Sequence, residues 1–144
     1  MNVWKQPINL DELQARSSNT MAEFCGIKFT SYTHDSLTAT MPVMPQTKQP
    51  IGILHGGASC VLAETVGSTA ANYCIDQTAF FCVGLDINVS HIKQVKFGLV
   101  TATASALHIG RTTQVWAIRL FNDERVLTAY SRLTMAVLAR KSSE

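Results

Sequence analysis

The chain has 144 residues, 47% of them hydrophobic, which suits one substantial core and leaves too little for a second independent one. Twelve basic residues against ten acidic ones give a formal charge of +2, too even a balance for nucleic-acid binding driven by counterion release. Cys25, Cys60, Cys74 and Cys82 lack the close spacing of a zinc site or redox motif, and with no signal peptide before them they read as reduced thiols of a cytoplasmic protein.

Scattered apolar residues at the N-terminus, with Asn9 or Asp11 placed to cap a short helix, describe a cover segment over residues 1–24. Residues 27–43 alternate β-branched and aromatic with polar side chains around His34-Asp35, the pattern of two strands in a hairpin. Pro45, Pro50 and Gly52 make residues 44–54 a loop. Residues 55–74, rich in Ala, Leu and Val with small residues between, predict a helix packed on several sides. A membrane span is excluded there by Ser59, Ser68, Asn72 and above all Glu64, whose carboxylate at mid-bilayer would cost about 2.5 kcal/mol or more.

After the helix the period drops to two. In residues 80–91, Phe81, Val83, Leu85, Ile87 and Val89 are expected on one face, with Cys82, Gly84, Asp86, Asn88 and Ser90 on the other. Three further strands are expected at 99–107, 113–121 and 126–138, leaving 140–144 as a tail. Two strands, one long helix and four strands joined by short turns define an α+β domain whose antiparallel sheet wraps the helix. An edge strand pairing across a twofold axis would remove an exposed edge, so at least a homodimer is expected.

Glu64 is the one fully charged residue between Lys48 and Asp76. A carboxyl in such surroundings is hydrogen-bonded, protonated with a raised pKa, open to a cavity, or paired with a cation at a subunit boundary. Ser68, four residues on, shares its helical face, where a hydroxyl can orient a carboxylate or a water, although such residues are common in tightly packed helices. At the helix start, His55-Gly56-Gly57 offers amide hydrogens without helical partners, suited to stabilising an oxyanion. Gly56 and Glu64 lie roughly 12 Å apart along the axis, so one carbonyl cannot meet both within one subunit. Antiparallel helices of paired subunits would bring them together. Gln49 can position a water or acyl group, and His55 is either a positioning residue or a plain helix start. His91, Lys93, Lys96 and Arg111 are candidates for phosphates or simply solvated surface. No Gly-rich phosphate loop, metal motif or serine elbow occurs, and no metal or cofactor is expected.

The run from Gln49-Pro50 through His55-Gly56-Gly57-Ala58-Ser59 to Ala63-Glu64 and Ser68 resembles the hotdog-fold thioesterases. It is similar to the branch with a helical Glu, the Arthrobacter-type 4-hydroxybenzoyl-CoA thioesterase group. The likeness continues through Val83-Gly84-Leu85-Asp86-Ile87-Asn88, His91, His108-Ile109-Gly110, Gln114-Val115-Trp116 and Ser131-Arg132-Leu133, nearly the whole chain. It implies a single hotdog domain over 1–144, a long central helix wrapped by a curved antiparallel sheet, and a dimer or dimer of dimers. It further implies Glu64 as nucleophile or general base, the Gly56 amide as oxyanion donor, and supporting roles for Gln49, His55 and Ser68. Val83, Gly84, His91, Lys93, His108, Gly110 and Arg111 would contact the substrate. That substrate is implied to be an aromatic acyl-CoA of the hydroxybenzoyl or dihydroxynaphthoyl type, as in menaquinone synthesis, or an acyl carrier protein thioester. The alternatives are a hydratase or dehydratase on the same fold and a module that binds acyl thioesters without turnover.

Overall fold

The computed structural model describes residues 1–141, so 142–144 of the expected tail lie outside the described residues. Helix α1 (Leu10–Arg16) is capped by Asn9, whose side chain accepts from the Asp11 and Glu12 amides, and a short α2 (Met21–Phe24) follows. Strands β1 (Lys28–Tyr32) and β2 (Ser36–Pro42) form the expected hairpin. The Pro-rich loop, which contains one 3-10 turn at Pro45–Thr47, leads into helix α3 (Gly56–Tyr73). Strands β3 (Phe80–His91), β4 (Leu99–Ile109), β5 (Thr113–Phe121) and β6 (Leu127–Ala139) complete one sheet in the order β1-β2-β4-β5-β6-β3, antiparallel throughout. Helix α3 touches every strand from β2 to β6, so the sheet wraps it.

The helix is seated by its small residues. Ala58, Leu62, Ala63, Val66, Gly67, Ala70 and Ala71 are buried in an i, i+4 stripe, facing Ile118, Leu133 and Met135 of the sheet. A Cβ on Gly67 would stand 2.6 Å from Leu133 Cδ2, so the absence of a side chain there sets how closely helix and sheet approach. The opposite stripe of Cys60, Val61, Glu64, Thr65, Ser68, Thr69 and Asn72 is only half-buried. Polar side chains pin the far end of the helix. Asn72 Nδ2 donates to the Cys82 carbonyl at 3.3 Å while its Oδ1 accepts from the Cys82 amide at 2.8 Å. The buried Gln114 donates to the Ala71 carbonyl at 3.2 Å and accepts from the Trp116 indole at 2.9 Å. The N-terminal segment docks here, with Trp4 stacked on Trp116 at 6.5 Å between ring centroids.

Strand β3 departs from its expected phase. Against β6 its register shifts between Gly84 and Asp86, where Leu85 is the extra residue of a β-bulge. Before the bulge, Cys82 and Gly84 lie opposite Val137 and Met135 and face the helix; after it, Ile87 and Val89 do so, opposite Leu133 and Ser131. Val83 and Leu85 therefore point away from the helix, contrary to the unbroken alternation. β3 is also a sheet edge, and Leu85 on it is 61% exposed. Among the described residues no helix is long and apolar enough to cross a membrane.

Candidate active site

The loop before α3 is tied to the segment after β3, since the Leu54 amide donates to the Val95 carbonyl at 2.7 Å. The Ile92 and Lys93 amides both donate to the Thr128 carbonyl. These bonds hold Gln49, Gly56, His91 and Lys93 around one pocket of about 260 Å³. Gln49 Oε1 accepts from the Ile51 amide at 2.6 Å, which fixes the carboxamide and leaves its NH₂ group for another partner.

His55 is the N-cap of α3, and its Nδ1 accepts from the Gly57 amide at 2.8 Å, so the neutral ring carries its proton on Nε2. The His55 amide donates to the Thr47 carbonyl and the Ala58 amide to the His55 carbonyl. Of the four donors that a helix start leaves over, the Gly56 N–H alone has no partner among the described residues. Gly56 also packs against His91: a Cβ there would lie 2.9 Å from His91 Nε2. The amide thus presents a free N–H at the positive end of an 18-residue helix, in the pocket that His91 and Gln49 also line.

Two turns on, Glu64 is half-buried and makes no ion pair or hydrogen bond among the described residues. Burial pushes its carboxyl above the ordinary carboxylate range. It faces a pocket of about 280 Å³ lined by Met21, Cys60, Val61, Thr65 and Ile87, an almost wholly apolar surround. Gly84 makes the room, because a Cβ there would sit 2.7 Å from Glu64 Oε1. The β3 bulge serves both contacts: it lets Gly84 face the carboxylate while Ile87 also faces inward. Burial and the neighbouring Glu64 charge both raise the Cys60 thiol pKa, which disfavours its thiolate.

The other candidates divide by position. Ser68 lies one turn past Glu64 but does not bond to it; it lines a neighbouring pocket of about 390 Å³, with Thr65 at the border of both pockets. Val83 points to the outer face of β3. His108, Gly110 and Arg111 stand at the β4–β5 turn, where the Val137 amide reaches the Thr112 carbonyl. Val137 pairs with Cys82, so this turn marks the opposite end of the sheet from His91, which pairs with Ala129. A single chain therefore holds the pieces in separate places. Sequence reading missed Met21 and Ile87 as neighbours of Glu64. Cys60, at i−4 from Glu64, was detectable by helical spacing alone.

One long helix wrapped by a six-stranded antiparallel sheet is the hotdog arrangement, the fold of a class of thioesterases. A model of the thioesterase superfamily matches residues 51–129, and the chain belongs to that family as a thioester hydrolase. Among its relatives, 1,4-dihydroxy-2-naphthoyl-CoA hydrolase of Escherichia coli K12 is 43% identical over 94% of this chain and 99% of its own length. The proofreading thioesterase EntH of Cronobacter sakazakii is 42% identical over 94% of this chain and 98% of its own. The crystal structure of a mutant thioesterase from Pseudomonas aeruginosa superposes with a TM-score of 0.95 at 46% identity, covering 96% of this chain and 99% of that one.

Proposed function

We propose that the protein hydrolyses aromatic acyl-CoA thioesters, with dihydroxynaphthoyl-CoA the favoured candidate, in sites completed across a homodimer interface. The observation that carries this reading is Glu64: a half-buried carboxyl without a cation or hydrogen-bond partner among the described residues, open to an apolar pocket of about 280 Å³. The aromatic substrate is favoured by that pocket and by the relative named for dihydroxynaphthoyl-CoA. An acyl carrier protein thioester presents the same pantetheine arm and remains the second substrate class.

The free edge of β3 continues into its twofold mate, which runs α3 of one subunit past α3 of the other in the opposite sense. The thioester carbonyl then accepts from Gly56 N–H of one subunit while Glu64 of the other supplies the attack. Glu64 either adds to the carbonyl carbon itself or takes a proton from a water that adds. In both routes a C–O bond forms, the C–S bond breaks and coenzyme A leaves as the thiol. If water adds, the proton Glu64 takes passes to the departing thiolate. If Glu64 adds, water then cleaves the mixed anhydride, its oxygen joining the acyl carbon as the bond to Glu64 breaks, and its protons go to the thiolate and the product acid. Gln49 and His55 hold the water and the helix start, and Ser68 lines the acyl side. His91 and Lys93 of one subunit meet Arg111 and His108 of the other at the mouth, where the nucleotide phosphates emerge.

Release of free coenzyme A from 1,4-dihydroxy-2-naphthoyl-, benzoyl- and medium-chain acyl-CoA, followed across pH, tests the reading. Glu64 must be ionised to act, and its pKa is raised by burial. The acid limb of kcat/KM should therefore lie above about 4.3, the ordinary glutamate value, and activity should rise with pH through it. A rate flat down to pH 4, or no thiol release from any member of the panel, would remove Glu64 or the reaction from consideration.

A further inference from the structure

The pocket around Glu64 does not end at Glu64. Thr65 borders both it and the larger pocket of about 390 Å³, and Met21 of the first follows directly on Thr20 of the second. Sharing Thr65, the two adjoin along the half-buried stripe of α3 as an open channel in two parts, the second toward its C-terminus. Its character changes along the way. Beside Glu64 the walls are Met21, Val61 and Ile87; the second pocket is lined by Ser68, Thr69 and Asn72 and also by Arg16 and Arg140.

No aspartate or glutamate lines the larger pocket, and neither arginine has an ion pair among the described residues. Arg140 is held in place, its Nε donating to the Gln77 carbonyl at 2.8 Å and its guanidinium lying over the Phe81 ring. Arg16 ends α1, a helix anchored by its Asn9 cap and by buried Leu13. Both guanidinium groups are exposed, and with no carboxylate lining the pocket they favour an anion at its rim. From Glu64 to Ser68 and Asn72 the channel covers four to eight helical residues, roughly 6–12 Å. That is the reach of two fused rings or a medium-length chain.

We propose that this channel takes the acyl half of the substrate and that Arg16 and Arg140 select acyl groups bearing an acidic substituent, a carboxylate or an ionisable phenol, one to two helix turns from the thioester carbon. The proposal rests on Glu64 as the attacking carboxylate, since that places the carbonyl at the channel's apolar end. The coenzyme A phosphates are the other anions available, and they are assigned to the mouth with His91 and Lys93.

The test compares 2-naphthoyl-CoA with 6-carboxy-2-naphthoyl-CoA, each also as the pantetheine thioester, on wild type, Arg16→Gln, Arg16→Lys and Glu64→Gln. Wild type should prefer the carboxylated acyl group by about tenfold in kcat/KM on both carriers, the scale of a charge-assisted hydrogen bond. Arg16→Gln should lose most of that preference and Arg16→Lys should keep part of it. Equal kcat/KM for the two acyl groups in wild type would overturn the proposal. So would an Arg16→Gln defect that appears with coenzyme A and vanishes with pantetheine, which would place Arg16 at the nucleotide. Undiminished hydrolysis by Glu64→Gln would overturn the site reading itself, and this inference with it.

Discussion

Replacing Glu64 by glutamine is expected to lower kcat by about 10²- to 10⁴-fold while leaving the fold intact, the usual loss when a positioned general base is removed. Glutamine keeps the shape that fits against Gly84, where the carboxylate oxygen already stands 2.7 Å from the place of a Cβ. The side chain has no partner among the described residues to lose. Stability should move the other way. Because burial raises the folded-state pKa, the native state favours the neutral acid, and stability falls as pH rises from the unfolded glutamate value through the folded one. Glu64→Gln should therefore melt higher than wild type at pH 7, with the difference closing below about pH 4. Steady-state kinetics with paired thermal melts at the two pH values read both effects. A variant with wild-type kcat, or one that melts lower at pH 7 than wild type, contradicts the role given to Glu64.

Gly56→Pro should cost about 10²- to 10³-fold in kcat, the penalty for deleting one oxyanion donor. Proline removes the amide hydrogen and little else here. Gly56 is the first residue of α3, where proline is well tolerated because its N–H has no helical partner. The preceding His55 sits at φ −67°, ψ 134°, the extended geometry that a following proline requires. The new Cβ would lie 2.9 Å from Nε2 of His91, an exposed side chain that must give way. Gly56→Ala makes the same demand and keeps the N–H, so it serves as the control. If Gly56→Ala and Gly56→Pro fall equally, the displaced imidazole matters and the amide does not.

These two residues were legible in the chain before any fold was known. Glu64 stood out because it is the sole full charge in a long neutral stretch, and Gly56 because it follows a Pro/Gly loop at a helix start. The helix was legible from its run of Ala, Leu and Val with small residues between, and the four later strands from alternation over nine or more residues. What stayed hidden depends on non-local pairing. An unbroken apolar alternation through Leu85 conceals a bulge, since in an edge strand both faces carry apolar side chains; Gly84 was the one local sign that a backbone comes close there. The pairing of β3 with β6 rather than with β4 has no local signature. Nor does a cover segment announce that Met21 will stand beside Glu64 and Arg16 at the end of the same channel. Such neighbours belong to the tertiary fold.

In the proposed dimer Gly56 and Glu64 serve one carbonyl from two different subunits, and subunit mixing separates this from a site within one subunit. Glu64→Gln and Gly56→Pro protein, each nearly inactive alone, would be dissociated together, reassembled and assayed for thiol release. With random pairing half the dimers are mixed, and each mixed dimer holds one site with both defects and one with none, so activity should return to about a quarter of wild type. Activity that stays at the level of the separate variants, with mixed dimers demonstrated by a mass tag on one variant, would place both groups in the same subunit and contradict the composite site.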